Sequence, residues 1–127
     1  MLISAKSGRI AHAQLFLGPE GNGALALAIA YAQYLSCTEK KEDDSCGACS
    51  SCRKYEKFIH PDLHFIFPFF PKDKNDTAFN YYAEWRQALL NNPYTELEEW
   101  RGYVEAENKQ ANINIATCHE VIKKLAL

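Results

Sequence analysis

Four cysteines, Cys37, Cys46, Cys49 and Cys52, stand at the spacing C-x8-C-x2-C-x2-C. Zinc takes four thiolates tetrahedrally at about 2.3 Å, and a C-x2-C pair reaches one ion because two intervening residues turn the chain back on itself. Cys46, Cys49 and Cys52 supply two overlapping pairs, and Cys37 supplies the fourth ligand across the charged run Glu39-Lys40-Lys41-Glu42-Asp43-Asp44. Four protein ligands leave no open position, so the expected zinc is structural, worth on the order of 10 kcal/mol to the folding of a small metallo-segment. An iron–sulfur cluster also uses four thiolates, but at other spacings. A redox C-x2-C pair is disfavoured by the third and fourth cysteines within reach. His60 and His64 are expected outside the ligand set, as a loop residue before Pro61 and an outward strand residue, and Cys118 as an inert core or surface thiol.

Just before the cysteines lies Leu15-Phe16-Leu17-Gly18-Pro19-Glu20-Gly21-Asn22-Gly23-Ala24-Leu25. A working phosphate loop reads G-x-x-x-x-G-K-[ST]: glycines turn backbone N–H groups toward phosphate, the lysine neutralises the β- and γ-phosphates, and the hydroxyl holds Mg²⁺. Gly18 and Gly23 fill the glycine positions, with Gly21 between them, but Ala24 replaces the lysine and Leu25 the hydroxyl residue. At about 1.5–3 kcal/mol per charged hydrogen bond, losing both costs several kcal/mol with a tetra-anionic ligand. No ATP binding or hydrolysis is therefore expected; the plainer alternative is a glycine-rich turn between a strand and a helix.

Bounds on the class come from size and charge. At 127 residues, 47% hydrophobic and 24% charged, the chain can bury one core. A net charge of −2 gives no global basic signature, so any DNA contact must be local. No apolar run approaches a membrane span and the first residues lack a signal-peptide pattern, so a cytoplasmic location is expected, where clustered cysteines serve metals more often than disulfides.

Several elements are needed to position these residues. Ala13–Leu17 reads as a buried strand ending at Gly18-Pro19, and Ala24 to about Leu35 as a helix buried against a sheet. Cys52–Ile59 reads as a short amphipathic helix stopped by His60-Pro61, and Leu63–Phe67 as a second strand. Helices are predicted from about Phe79 to Leu90 and from about Thr95 to Glu105, the latter on a Thr95/Glu98 capping box, and from Thr117 to the last residue, Leu127. Strand–helix alternation predicts an α/β class: a partial phosphate-loop nucleotide-binding-type domain with a parallel sheet, a small zinc module and a helical insertion.

The run from Arg9 to Pro68 is similar to the N-terminal nucleotide-binding domain of bacterial DNA polymerase III clamp-loader subunits. The resemblance rests on Arg9-Ile10-Ala11-His12-Ala13, the loop through Gly23, the four cysteines and His60-Pro61-Asp62, in the family's order. It implies an AAA+ domain and a place in the DNA polymerase III holoenzyme, in a pentameric assembly that opens the sliding clamp and loads it on primed DNA. Ala24 and Leu25 resemble the non-hydrolysing δ′ branch and its degenerate loop rather than the γ/τ ATPases. The implied partners are the δ and γ/τ subunits and the sliding clamp, with DNA reached through the assembly and no membrane. Residues 1–127 then read as the N-terminal part of such a domain, with a zinc module at 37–52 and an insertion at 72–112, ending before the lid and collar domains and the arginine finger. An exposed sheet edge would favour a homodimer of this piece. The alternatives are a γ/τ-like ATPase with an unusual loop, or a zinc-stabilised module binding nucleic acid through Arg53, Lys54 and Lys57.

Overall fold

A short helix, α1 (Leu2–Lys6), opens the chain, and Lys6 at its end pairs with Asp43 at 3.7 Å. The alanine- and leucine-rich run after Gly23 forms α2 (Ala24–Ser36), uninterrupted by glycine or proline. Gly23 enters it at φ 74, a left-handed conformation that glycine adopts without a Cβ clash. A third helix, α3 (Ser50–Glu56), packs on α2, with a bond between the Ser36 and Tyr55 hydroxyls at 3.1 Å. The core here consists of Tyr31, Tyr34, Tyr55, Phe58 and two of the cysteines, Cys37 and Cys52.

The structure, a computed structural model, describes residues 1–126, which divide into two compact units, Met1–Leu63 and the chain from His64 onward. In the second unit Phe65, Phe67 and Phe69 are buried, while His64 before them and Ile66 between the first two are exposed, the period-two alternation of an extended segment. Its helical part runs through a 3₁₀ turn (Ala78–Tyr81) into α4 (Tyr82–Asn91), then α5 (Leu97–Tyr103) and α6 (Ile115–Leu125). Trp85 from α4 and Trp100 from α5 meet edge-on at 5.2 Å, and Phe67 stacks on Trp85 at 4.4 Å. The Trp100 Nε1–H donates to the Pro68 carbonyl at 2.8 Å, so the indole is buried without an orphaned donor. Fully buried Thr117 accepts from the Ala78 N–H at 3.0 Å and donates to Asn114 Oδ1 at 2.7 Å. Among the described residues no helix is long and apolar enough to cross a membrane.

The expected parallel sheet is not formed among the described residues. Their one β-interaction outside a ladder is an isolated antiparallel bridge, Phe69 with Asn112, closed by N–H···O bonds of 3.0 and 2.8 Å. Ala13–Leu17 forms no strand, with Leu15 80% and Leu17 82% exposed instead of buried. Leu63–Phe67 has strand-like alternation but no ladder. An extended backbone is a local property, whereas a sheet needs a neighbouring segment about 4.8 Å away. Helix α2 consequently packs on α3 and not on strands, burying Tyr31 and Tyr34 and leaving Leu27 exposed.

Smaller differences concern helix ends. The Thr95/Glu98 capping box is not made: α5 starts at Leu97, and Thr95 Oγ1 donates to the Asn92 carbonyl at 2.5 Å, serving the end of α4. Cys49 caps α3, which therefore begins at Ser50, before the expected Cys52. Helix α6 begins two residues before the expected Thr117, because Asn114 Oδ1 accepts from the Thr117 N–H at 2.9 Å and caps it. The expected end of that helix, Leu127, lies outside the described residues.

Candidate metal centre

Helix α2 ends at Cys37, whose extended backbone (φ −65, ψ 131) turns the chain out of the helix. The charged run then loops back, tied at its base by the Lys40 ammonium donating to the Cys37 carbonyl at 2.6 Å. Gly47 adopts φ 72 with open space on its side-chain face, which lets the chain turn between Cys46 and Cys49. Cys49 then does two jobs: it belongs to the thiol cluster, and its sulfur accepts the Cys52 N–H at 3.4 Å as the N-cap of α3.

The four sulfurs of Cys37, Cys46, Cys49 and Cys52 lie within 4.8 Å of one another. Cys46 Sγ is 3.9 Å from Cys52 Sγ, and Cys49 Sγ is 4.0 Å from Cys37 Sγ. A tetrahedron with 2.3 Å zinc–sulfur bonds has edges of about 3.8 Å, so these two pairs stand near that edge and the cluster need tighten by about 1 Å at most to hold one ion. All four cysteines are free thiols. They can bind a metal, and the all-thiolate set suits zinc or another soft ion.

Backbone amides prepare the sulfurs for charge. Cys46 Sγ accepts N–H groups from Ala48 and Cys49 at 3.4 and 3.2 Å, and Cys37 Sγ accepts that of Cys46 at 3.3 Å. A donor aimed at sulfur favours the thiolate. The Cys52 N–H, followed by Thr38, accordingly holds the Cys49 thiol down to about 5, and the Cys46 N–H lowers that of Cys37. Cys52 goes the other way because burial, at 1% exposure, disfavours its charged form. Neither histidine joins the cluster. His60 packs on Tyr55 at 4.6 Å and its Nδ1 accepts the Asp62 N–H at 3.2 Å, while His64 is exposed. Cys118 is a surface thiol on α6.

The glycine loop has the turn expected of it but is closed by its own side chain. Gly21 and Gly23 have φ 78 and 74, and the Asn22 N–H donates to the Pro19 carbonyl at 3.2 Å. Asn22 Oδ1 accepts the Ala24 N–H at 3.0 Å, one of the amides a phosphate would require at the start of α2. The Asn22 carboxamide also lies against Gly18, where any Cβ would collide with it. Ala24 and Leu25 follow with apolar side chains. Sequence reasoning missed Asn22, although an Asn two residues before a helix start is a recognisable capping signal. It also missed Gln33, whose Nε2 donates to Ser45 Oγ at 3.2 Å beside Cys46.

Four convergent thiols that could hold a metal thus stand at the end of a helix that starts at a glycine turn. The chain belongs to the family described as DNA polymerase III, delta subunit, whose model matches residues 2–126. It is 37% identical over 65 residues to the DNA polymerase III subunit delta′ of Bacillus subtilis, covering 51% of this chain and 20% of that relative. With the subunit delta′ of Yersinia pestis the identity is 39% over 62 residues, 49% of this chain and 18% of the relative. With the subunit gamma/tau of Mycobacterium tuberculosis it is 40% over 50 residues, 39% of this chain and 9% of the relative. The matched part thus spans a fifth or less of these relatives' own length. No solved structure matches the chain.

Proposed function

We propose that this chain is part of a δ′-type, non-catalytic subunit of the bacterial DNA polymerase III clamp loader, and that Cys37, Cys46, Cys49 and Cys52 hold one structural zinc ion. The observation that carries the non-catalytic part is the start of α2. Ala24 and Leu25 offer neither the ammonium nor the hydroxyl that phosphate and Mg²⁺ require, and Asn22 engages the Ala24 N–H. The delta′ relatives support the choice of subunit; the gamma/tau relatives keep an ATPase as the competing reading.

On this reading the chain acts through protein–protein contacts, with δ, γ/τ and the sliding clamp as partners, DNA approached through the assembly, and the cytoplasm as its place of action. Residues 37–52 are the zinc module of an AAA+-like domain and 72–112 an insertion whose tryptophans serve its core. The zinc would clamp the end of α2 to the start of α3, stiffening a part meant to transmit position.

Thermal unfolding with and without millimolar Mg²⁺–ATP tests the nucleotide half. No shift is expected. A functional site at one hundred times its Kd would add about 2.7 kcal/mol of stability, so a saturable, Mg²⁺-dependent rise in Tm would overturn this reading in favour of the ATPase.

A further inference from the structure

Phe70, Tyr81, Trp100, Val104 and Ala106 wall a cavity of about 130 Å³ in the second unit. Lys72, Lys109 and Glu84 complete its lining, and all three are exposed. Neither lysine takes part in an ion pair among the described residues, so two unpaired ammonium groups stand against one carboxylate. Volume decides what such a space can hold. Cofactor and small-molecule sites usually enclose about 300–1,000 Å³, whereas a cavity of about 150 Å³ holds one benzene ring. A space of about 130 Å³ therefore takes a single apolar side chain, the kind of anchor pocket found at the centre of a protein interface.

The walls are fixed before anything binds. The Tyr81 hydroxyl donates to Asp76 and the Trp100 Nε1–H to the Pro68 carbonyl, both at 2.8 Å, so neither ring is free to swing. The Arg101 guanidinium lies over the Phe70 ring at 5.0 Å. Val104, Ala106 and Lys109 belong to the turn after α5, which passes through left-handed backbone at Glu105 (φ 53) and Asn108 (φ 62). Residues other than glycine adopt that conformation uncommonly and only where the surroundings hold it. Here the Ala106 N–H donates to the Arg101 carbonyl at 3.0 Å, the Lys109 N–H to the Ala106 carbonyl at 3.2 Å, and Arg101 Nη1 to the Lys109 carbonyl. A pocket held in shape this way loses less entropy when it is filled.

We propose that this cavity docks an acidic peptide segment of a partner protein: one apolar side chain enters between Phe70, Tyr81 and Trp100, and the carboxylates beside it meet Lys72 and Lys109. Charge selects the acidic segment over a neutral or basic one, since Glu84 alone opposes the two ammonium groups. The proposal uses no residue of the thiol cluster or the glycine loop, so failure of the reading above would leave it intact.

The test is amide NMR of the whole nitrogen-15-labelled chain, titrated to millimolar concentration with the capped peptides Phe-Asp-Asp, Phe-Asn-Asn, Phe-Lys-Lys and Ala-Asp-Asp, and with 3-phenylpropionate. Phe-Asp-Asp is expected to shift the amides of Lys72, Val104, Ala106 and Lys109 saturably and to bind more tightly than the other probes. Lys72→Gln and Lys109→Gln, both at exposed positions, are each expected to weaken its binding by roughly 1.5–5-fold, the range of one exposed ion pair, without affecting Phe-Asn-Asn. Val104→Trp, which fills the cavity from a half-buried position, is expected to abolish the shifts; should it fail to fold, the two lysine variants still decide. The proposal is overturned by the absence of saturable shifts at these amides, or by Phe-Asn-Asn, Phe-Lys-Lys or Ala-Asp-Asp binding as tightly as Phe-Asp-Asp. Equal binding of 3-phenylpropionate would also overturn it, assigning the cavity to a small free acid instead of a peptide.

Discussion

On the zinc reading, removing the ion should unfold one unit and spare the other. The core of residues 1–63 consists of Tyr31, Tyr34, Tyr55, Phe58 and two thiol ligands, Cys37 and Cys52, whereas the unit from His64 onward buries Phe65, Phe67, Phe69, Phe70, Trp85, Leu89, Trp100 and Val121. On that reading a third of the first core's residues are metal ligands, and the second core contains none. With free zinc at 100 to 1,000 times Kd, the ion adds about 2.7–4.1 kcal/mol to whatever it folds. For a unit of about 60 residues each kcal/mol moves Tm by about 4–8 °C, so stripping the ion should lower that transition by at least roughly 10–20 °C. Both tryptophans, Trp85 and Trp100, belong to the second unit, so their fluorescence reports it alone while far-UV circular dichroism reports both. A strong chelator, or Cys49→Ser, should lower the dichroism transition and expose residues 38–56 to protease while leaving the tryptophan emission maximum unchanged. Equal zinc content in wild type and Cys49→Ser, or an unmoved transition after verified metal removal, would refute this reasoning.

Two further outcomes concern the second unit. Trp100→Ala removes a buried ring that packs on Phe67 and Trp85 and leaves the Pro68 carbonyl without its donor; it should destabilise by about 4–6 kcal/mol in denaturant titrations, and Trp100→Phe by less. Asp76 accepts from the Lys72 N–H, the Tyr81 hydroxyl and the Asn80 amide, which together hold its carboxyl down to about 2. Its folded value lies below the unfolded one, so its contribution is present above about pH 4 and is lost as pH falls toward 2. Asp76→Asn should flatten the stability profile in that window, as read from denaturant midpoints across pH 2–5.

Local signals served the reading of this chain well wherever a short stretch contained all its own partners. Helix α2 needed only helix formers and a glycine start, and the thiol cluster needed only two-residue spacers to turn the chain. They served less well where the partner lay elsewhere. The Thr95/Glu98 pattern fits a capping box, but the Thr95 hydroxyl found the carbonyls ending α4. Ala13–Leu17 has the composition of a buried strand and is exposed, because burial and pairing belong to a neighbour and not to the segment.

The sequence by itself determined the chemistry: four soft ligands at turn-forming spacing, and a glycine loop without the groups that hold phosphate and magnesium. These depend on residue identity over a few positions, which covalent geometry translates directly into reach. Tertiary structure alone decided that the four sulfurs converge within 4.8 Å of one another, that Asn22 caps the first amide of α2, and that Gln33 reaches Ser45. It likewise decided that Trp85 and Trp100 share one core with the phenylalanines at 65, 67 and 69. Each of those contacts joins groups whose distance depends on the path of the intervening chain, and no spacing along the sequence encodes that path.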